Sequence, residues 1–237
     1  MEAWFMKIGG LQKLTLIDFP GRVACTVFLS GCNFRCLFCY SPELVLPEAI
    51  KKHPAISEKK FFHFLKERKS LLEGVTICGG EPFCDKKLPD LIKKIKKMGF
   101  QVKLDTNGSN PEILAKLIDK KLVDYVAMDI KGPKGKYGRI TGTKIDIEKI
   151  QKSIDILKEG KADYEFRSTI VPSLHEEEDI IEMAKWIKGA KRYYLQSFLP
   201  EKTINPEFEK IKPYSRDFLL KIQKAISPLF EICQVRQ

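Results

Sequence analysis

Apolar positions along the 237-residue chain fall into two alternating patterns: short β-branched runs, and longer stretches with a three-to-four residue repeat. Residues 23–29 form a continuous apolar run of the kind buried on both faces of a parallel sheet. Comparable runs recur at 75–78, 101–104, 122–128, 164–171 and 193–197. Helical repeats stand between them. Ser57 can cap a helix with Phe61, Phe64, Leu65, Leu71 and Leu72 on one face, and Leu88, Leu91, Ile92, Ile95 and Met98 follow, with Gly99 as their stop. Asn110 and Pro111 open a helix carrying Ile113, Leu114, Leu117 and Ile118, and Asp146 opens one carrying Ile147, Ile150, Ile154 and Leu157. Ile180, Ile181, Ala184 and Ile187 make the next, before Gly189, and Ser215 opens a last one with Phe218, Leu219 and Ile222. Six βα units in register predict an α/β fold, a partial parallel (β/α)6 barrel, with a flat doubly wound sheet as the structural alternative.

The remaining segments read as a lead-in over 1–22, a barrel core over 23–200 and a C-terminal helix and tail over 201–237, together one domain. Within the lead-in, Gly9-Gly10 reads as a turn and 14–19 as a strand or arm stopped by Pro20-Gly21. The loops 40–56 and 132–144 read as moving covers.

The formal net charge of +11 raises the question of a nucleic-acid partner. Lysines such as Lys93, Lys94, Lys96 and Lys97 lie on the polar faces of predicted helices without interleaved aromatics, which argues against nucleic acid and for a solvated surface. No run of 18 apolar residues is present, so no membrane span is expected. Seven cysteines, an odd number without a secretory signal, suit a reducing, cytoplasmic setting and metal use better than a disulfide framework.

Three of those cysteines, Cys32, Cys36 and Cys39, sit at i, i+4 and i+7 directly after the first strand. Thiolates are soft ligands suited to iron–sulfur clusters and zinc, and three so closely spaced can face one centre. A closed site takes four, so either a fourth ligand comes from elsewhere or one metal position stays open for a substrate. The ends of the later strands add chemistry at what would be the same face of a barrel. Gly79-Gly80 would let a ligand approach the backbone, and Asp105, Asp129, Lys131 and Arg167 supply charges for a zwitterionic, ribose-bearing ligand. Cys25 and Cys78 lie in apolar strands and read as small core residues. Cys84 follows the glycines closely enough to be a ligand or redox partner, and Cys233 has no assigned role. His53, His63 and His175 read as ordinary loop or helix residues.

Cys32-x3-Cys36-x2-Cys39 with Phe38 before the last cysteine, followed by Gly79-Gly80-Glu81-Pro82, resembles the radical S-adenosylmethionine (SAM) enzymes. More narrowly, the chain resembles the activating proteins of anaerobic ribonucleoside-triphosphate reductase and other glycyl-radical enzyme activases. The likeness includes the lead-in 9–21, Asp105-Thr106-Asn107-Gly108, Met128-Asp129-Ile130-Lys131 and 194–198. It implies that Cys32, Cys36 and Cys39 hold a [4Fe-4S] cluster whose fourth iron takes SAM. Phe38 and Tyr40 would border the adenine, and Gly79, Gly80 and Glu81 would receive the methionine amino group. Asp105, Thr106, Asn107, Asp129, Ile130, Lys131 and Arg167 would line the rest of the cofactor site. The implied partners are a glycyl-radical enzyme and a flavodoxin- or ferredoxin-type electron donor. Tyr40 stands where relatives often have His, and Gln196 is the nearest polar residue where some activases place a histidine after the sixth strand. Two other readings stand beside this one. One is a radical SAM enzyme acting on a small molecule, like the 7-carboxy-7-deazaguanine synthases; the other is a zinc-stabilised nucleic-acid-binding module using Cys25 or Cys84 as a fourth ligand.

Overall fold

The structure, a computed structural model, describes residues 7–236. Strands and helices succeed one another as β1 (Ile8–Thr15), β2 (Ala24–Leu29), α1 (Pro42–Val45), α2 (Pro47–Lys52), α3 (Glu58–Glu67), β3 (Gly74–Gly79), α4 (Leu88–Lys97), β4 (Gln101–Thr106) and α5 (Pro111–Asp119). Then come β5 (Tyr125–Asp129), α6 (Tyr137–Thr141), α7 (Ile147–Lys158), β6 (Asp163–Ile170), α8 (Glu177–Trp186), β7 (Arg192–Ser197), α9 (Arg216–Ile226) and β8 (Ile232–Arg236). The six predicted parallel strands are all present, as β2 to β7. The α/β class with a mostly parallel set of strands is as expected. Two compact units divide the chain, each assembled from separated segments. One takes the chain up to Asn33, Ser41–Thr106 and Glu112–Val126; the other takes Phe34–Tyr40, Asn107–Pro111 and the chain from Ala127 on.

In the first unit β2, β3 and β4 are parallel, with Ala24 beside Gly74 and Gly74 beside Gln101. Val27, Val75, Ile77, Val102 and Leu104 are buried, as continuous apolar runs in a parallel sheet require. Helix α4 buries Leu88, Leu91, Ile92 and Ile95, and each such side chain contributes about 1.5–3 kcal/mol of transfer free energy. Gly99 ends it with φ +91°, a conformation that costs glycine little. One row across the sheet is polar: Thr26, Thr76 and Lys103 are cross-strand neighbours, all buried. Lys103 is 1% exposed and is paired with Asp105 on the same strand face.

The lead-in differs from its prediction. Gly9 and Gly10 lie inside β1, which runs antiparallel to β2, and the register shifts between Ile8 and Gly10. A Cβ at Gly9 would meet the Leu44 side chain, so Gly9 is a packed position inside a strand and not a turn residue. The segment 40–56 is also not a bare loop. It winds into α1 and α2 and is fastened by Lys7 Nζ, just before β1, on the carbonyls of Ile50 and His53, and to β1 itself by His53 Nε2 with Gly9 O at 2.7 Å.

In the second unit β6, β7 and β8 are parallel, with Arg167, Tyr194 and Gln234 side by side. The predicted tail therefore ends in a strand. Its Arg236 donates two hydrogen bonds, 2.8 and 3.0 Å, to the carboxylate of Glu165, which is 1% exposed, and lies over the Tyr194 ring at 3.3 Å. The segment 132–144 contains helix α6, pinned by Lys136 to Asp179 at 2.8 Å and by Lys134 against the Trp186 ring. Among the described residues no helix is long and apolar enough to cross a membrane.

Candidate functional site

In the first unit the approach to Cys32 is set by backbone packed on backbone. Gly31 has φ +104°, its N–H donates to Leu44 O at 2.7 Å, and its carbonyl accepts from the Glu81 N–H at 2.7 Å. The Gly80 N–H donates to Leu29 O at 2.8 Å. A Cβ on Gly79 would stand 2.3 Å from Leu29 O, and one on Gly80 2.1 Å from Gly31 O. On the Cβ side of these glycines the chain's own backbone at Leu29 and Gly31 packs close. Glu81 is buried, and its Oε1 accepts from the Phe83 N–H at 3.2 Å and the Thr106 hydroxyl at 2.8 Å. Asp105 is held by Lys103. Cys25 is buried as expected, but Cys78 is only half-buried, and so is Cys84 in a short turn over Pro82–Cys84.

The second unit gathers the other two cysteines with the charges from the end of β5. Cys36 is buried and Cys39 half-buried, with the Cys39 N–H on Cys36 O at 3.0 Å. Burial pushes the Cys36 thiol up to about 11; the Lys131 charge opposes that shift, while Cys39 and Asp129 add to it. Asp129 accepts from Arg167 Nε and Lys131 Nζ, each at 3.0 Å. Burial alone would raise the Asp129 carboxyl, but Arg167 and then Lys131 outweigh it and hold it at about 2. Burial likewise acts to lower Lys131, and Asp129 more than reverses it, so the ammonium is kept charged. Ile130 is buried and donates its N–H to Arg167 O at 2.8 Å, joining the end of β5 to β6. Asn107 is buried with its Oδ1 on the Ser109 N–H at 3.0 Å, and Phe38 is buried.

Two features here went unread in the sequence. His175 is fully buried: its Nδ1 accepts from the Val171 N–H at 3.0 Å, so its Nε2 carries the hydrogen given to Lys131 O at 2.8 Å. The imidazole thus holds the Lys131 backbone, and burial keeps its pKa below the usual value. Around Phe34–Tyr40, the Arg35 N–H donates to Thr141 O at 2.8 Å, the Asn205 N–H to Leu37 O at 2.9 Å and the Ile204 N–H to Cys39 O at 3.1 Å. The Tyr40 hydroxyl accepts from the Leu199 N–H at 2.9 Å, and its ring stacks on Phe198. Only helical or strand periodicity marks a segment in sequence, and 199–205 has neither.

Among the described residues no group of three or more His, Cys, Asp or Glu side chains is drawn together as a metal site. The donor chemistry fits a metal–sulfur group all the same. A thiol as buried as Cys36, beside a lysine and a second cysteine, becomes a stable anion when a metal takes up its charge.

Comparison with known proteins agrees with this chemistry. Over 211 residues the chain is 35% identical to a Methanocaldococcus jannaschii protein assigned as a glycyl-radical enzyme activating enzyme, covering 86% of this chain and 85% of that one. It is 29% identical over 221 residues to the pyruvate formate-lyase-activating enzyme of Clostridium pasteurianum, covering 86% of each. Among solved structures, QueE from Escherichia coli superposes with a TM-score of 0.55 at 16% identity, covering 97% of this chain and 93% of that one, a likeness of fold. The model of the Radical SAM superfamily matches residues 26–187. With more than half of its length matched, the chain belongs to the radical SAM superfamily, whose enzymes work with a [4Fe-4S] cluster and S-adenosylmethionine.

Proposed function

We propose that this radical SAM enzyme activates a glycyl-radical enzyme, with anaerobic ribonucleoside-triphosphate reductase or a close counterpart as its protein substrate. Cys32, Cys36 and Cys39 hold the cluster. Gly79, Gly80, Glu81, Asp105, Thr106, Asn107, Asp129, Ile130, Lys131 and Arg167 form the surroundings of SAM, with Phe38 beside the cluster cysteines. The observation that carries the reading is the Lys131 ammonium, kept charged by Asp129 beside the buried Cys36 thiol, an environment that suits a thiolate-bound metal. A [4Fe-4S] cluster bound there would supply the one-electron reductive cleavage of the SAM sulfonium, and with it the means to take a hydrogen atom from a glycine Cα. The chain's own residues do the rest: they orient the two groups, keep Lys131 charged and restrict the entry of water. The electron comes from a flavodoxin- or ferredoxin-type donor, in a cytoplasmic setting.

Anaerobic reconstitution tests this, with iron and sulfide counts and the electron paramagnetic resonance (EPR) spectrum of the reduced protein recorded with and without SAM. The expected outcome is a [4Fe-4S]⁺ signal that changes shape with SAM, is lost in Cys36→Ala, and is followed by a glycyl-radical signal once a glycyl-radical enzyme is added. Zinc without iron, or a cluster indifferent to SAM, overturns the reading. SAM cleavage that yields no radical on any glycyl-radical enzyme moves the function to a small-molecule substrate.

A further inference from the structure

The contacts of Tyr40 point away from a role at the cofactor. Its ring lies on Phe198 with centroids 5.9 Å apart and planes 22° from parallel, and Phe198 is fully buried directly after β7. Its hydroxyl accepts from the Leu199 N–H at 2.9 Å, a contact between residues 159 apart in the chain. Two further donors come from the same segment, the N–H groups of Ile204 and Asn205, on the carbonyls of Cys39 and Leu37. Three hydrogen bonds from one short stretch thus reach a cysteine-bearing turn of seven residues, Phe34–Tyr40. The stretch is itself stiffened. Thr203 is buried, its hydroxyl donates to Asn205 O at 2.7 Å, and its N–H donates to Glu209 Oε1 at 3.0 Å. Asn205 Oδ1 accepts from the Glu207 N–H at 3.1 Å, capping the turn that follows.

We infer that residues 199–205 are a clasp that sets the shape of the cysteine turn before any metal arrives, and that Tyr40 is its anchor, a positioning residue and not a cofactor contact. This rests on the proposed function for the identity of the metal group, and on the described contacts for the clasp itself. The turn has little regular structure of its own to hold two thiols in place. A ligand set whose backbone is already fixed loses less conformational freedom on binding, so the clasp favours loading and slows loss.

The test uses the full chain with Tyr40→Phe, which removes the hydroxyl acceptor, and Thr203→Val, which loosens the clasp from a residue that touches neither cysteine. Hydrogen–deuterium exchange on the metal-free protein is expected to quicken about fivefold over 34–40 and 199–205 in both variants, roughly the factor one net hydrogen bond is worth. Iron release from the reconstituted protein to a chelator is expected to quicken by a similar factor, while the SAM-induced change in the EPR spectrum is kept. Unchanged exchange over 34–40 in both variants overturns the clasp. So does a Tyr40→Phe protein with ordinary exchange whose cluster no longer responds to SAM, because Tyr40 would then be a cofactor contact. The exchange is read without metal, so the clasp and the proposed function fail separately.

Discussion

At Gly80 the decisive neighbour is an oxygen. The Gly31 carbonyl stands where a Cβ would go, 2.1 Å away, and it is backbone that cannot swing aside as a side chain would. Gly80→Ala is expected to cost about 1–3 kcal/mol in denaturant unfolding and to lower the iron bound per chain after reconstitution, because Gly31 leads directly into Cys32. An alanine protein with full iron and an unchanged midpoint would show that the backbone there yields freely. Asp129→Asn leaves Arg167 and Lys131 without their shared carboxylate, and SAM binding is expected to weaken about tenfold by equilibrium titration, the effect of roughly 1.4 kcal/mol of lost orientation. Residues of this kind were legible in the sequence because strand ends are marked by polar and glycine residues after apolar runs. His175 was not: a lone histidine in a turn looks the same whether it faces water or, as here, is sealed between two backbone groups.

Between elements, two links carry predictions. His175 ties the end of β5 to the turn after β6 as a neutral ring, and burial lowers its pKa. The unfolded chain takes up a proton as pH falls through about 6.5 while the folded ring resists it, so the folded state loses stability on acidification below that value. The difference between urea midpoints at pH 7.5 and pH 5.5 is therefore expected to shrink in His175→Asn; an undiminished difference would place the acid sensitivity elsewhere. The second link is Arg236 on Glu165, which locks β8 to β6. Arg236→Met removes both hydrogen bonds that Arg236 gives the buried Glu165 carboxylate and is expected to cost about 1–3 kcal/mol, while adding Glu165→Gln should recover part of it, as a double-mutant cycle by denaturant unfolding would measure. Strands β2 to β7 were legible because each is a compact apolar run beside a helical repeat. β1 and β8 were not, since Ile8–Thr15 holds two glycines and three exposed polar or apolar positions, and Ile232–Arg236 alternates too briefly to stand out.

For the molecule as a whole, the net charge is +11, and many of its lysines are locally paired. Lys93 meets Asp90, Lys94 meets Glu58 and Lys221 meets Glu177 on helix surfaces, and Lys96 of α4 meets Asp124 just before β5. Fluorescence anisotropy with a short single-stranded RNA at physiological salt is expected to show no saturable binding; tight binding with a steep salt dependence would restore a nucleic-acid role. Alternating patterns suffice to reveal the class of such a fold, whereas contacts between distant irregular segments, as at 199–205, leave no periodic trace. Those distant contacts also bear on biosynthesis. The cysteine turn Phe34–Tyr40 is synthesised before the groups that hold it, Thr141 and then Leu199 to Asn205. Until residues 199–205 have emerged, the turn lacks those three hydrogen bonds, so its final shape is set well after its own synthesis.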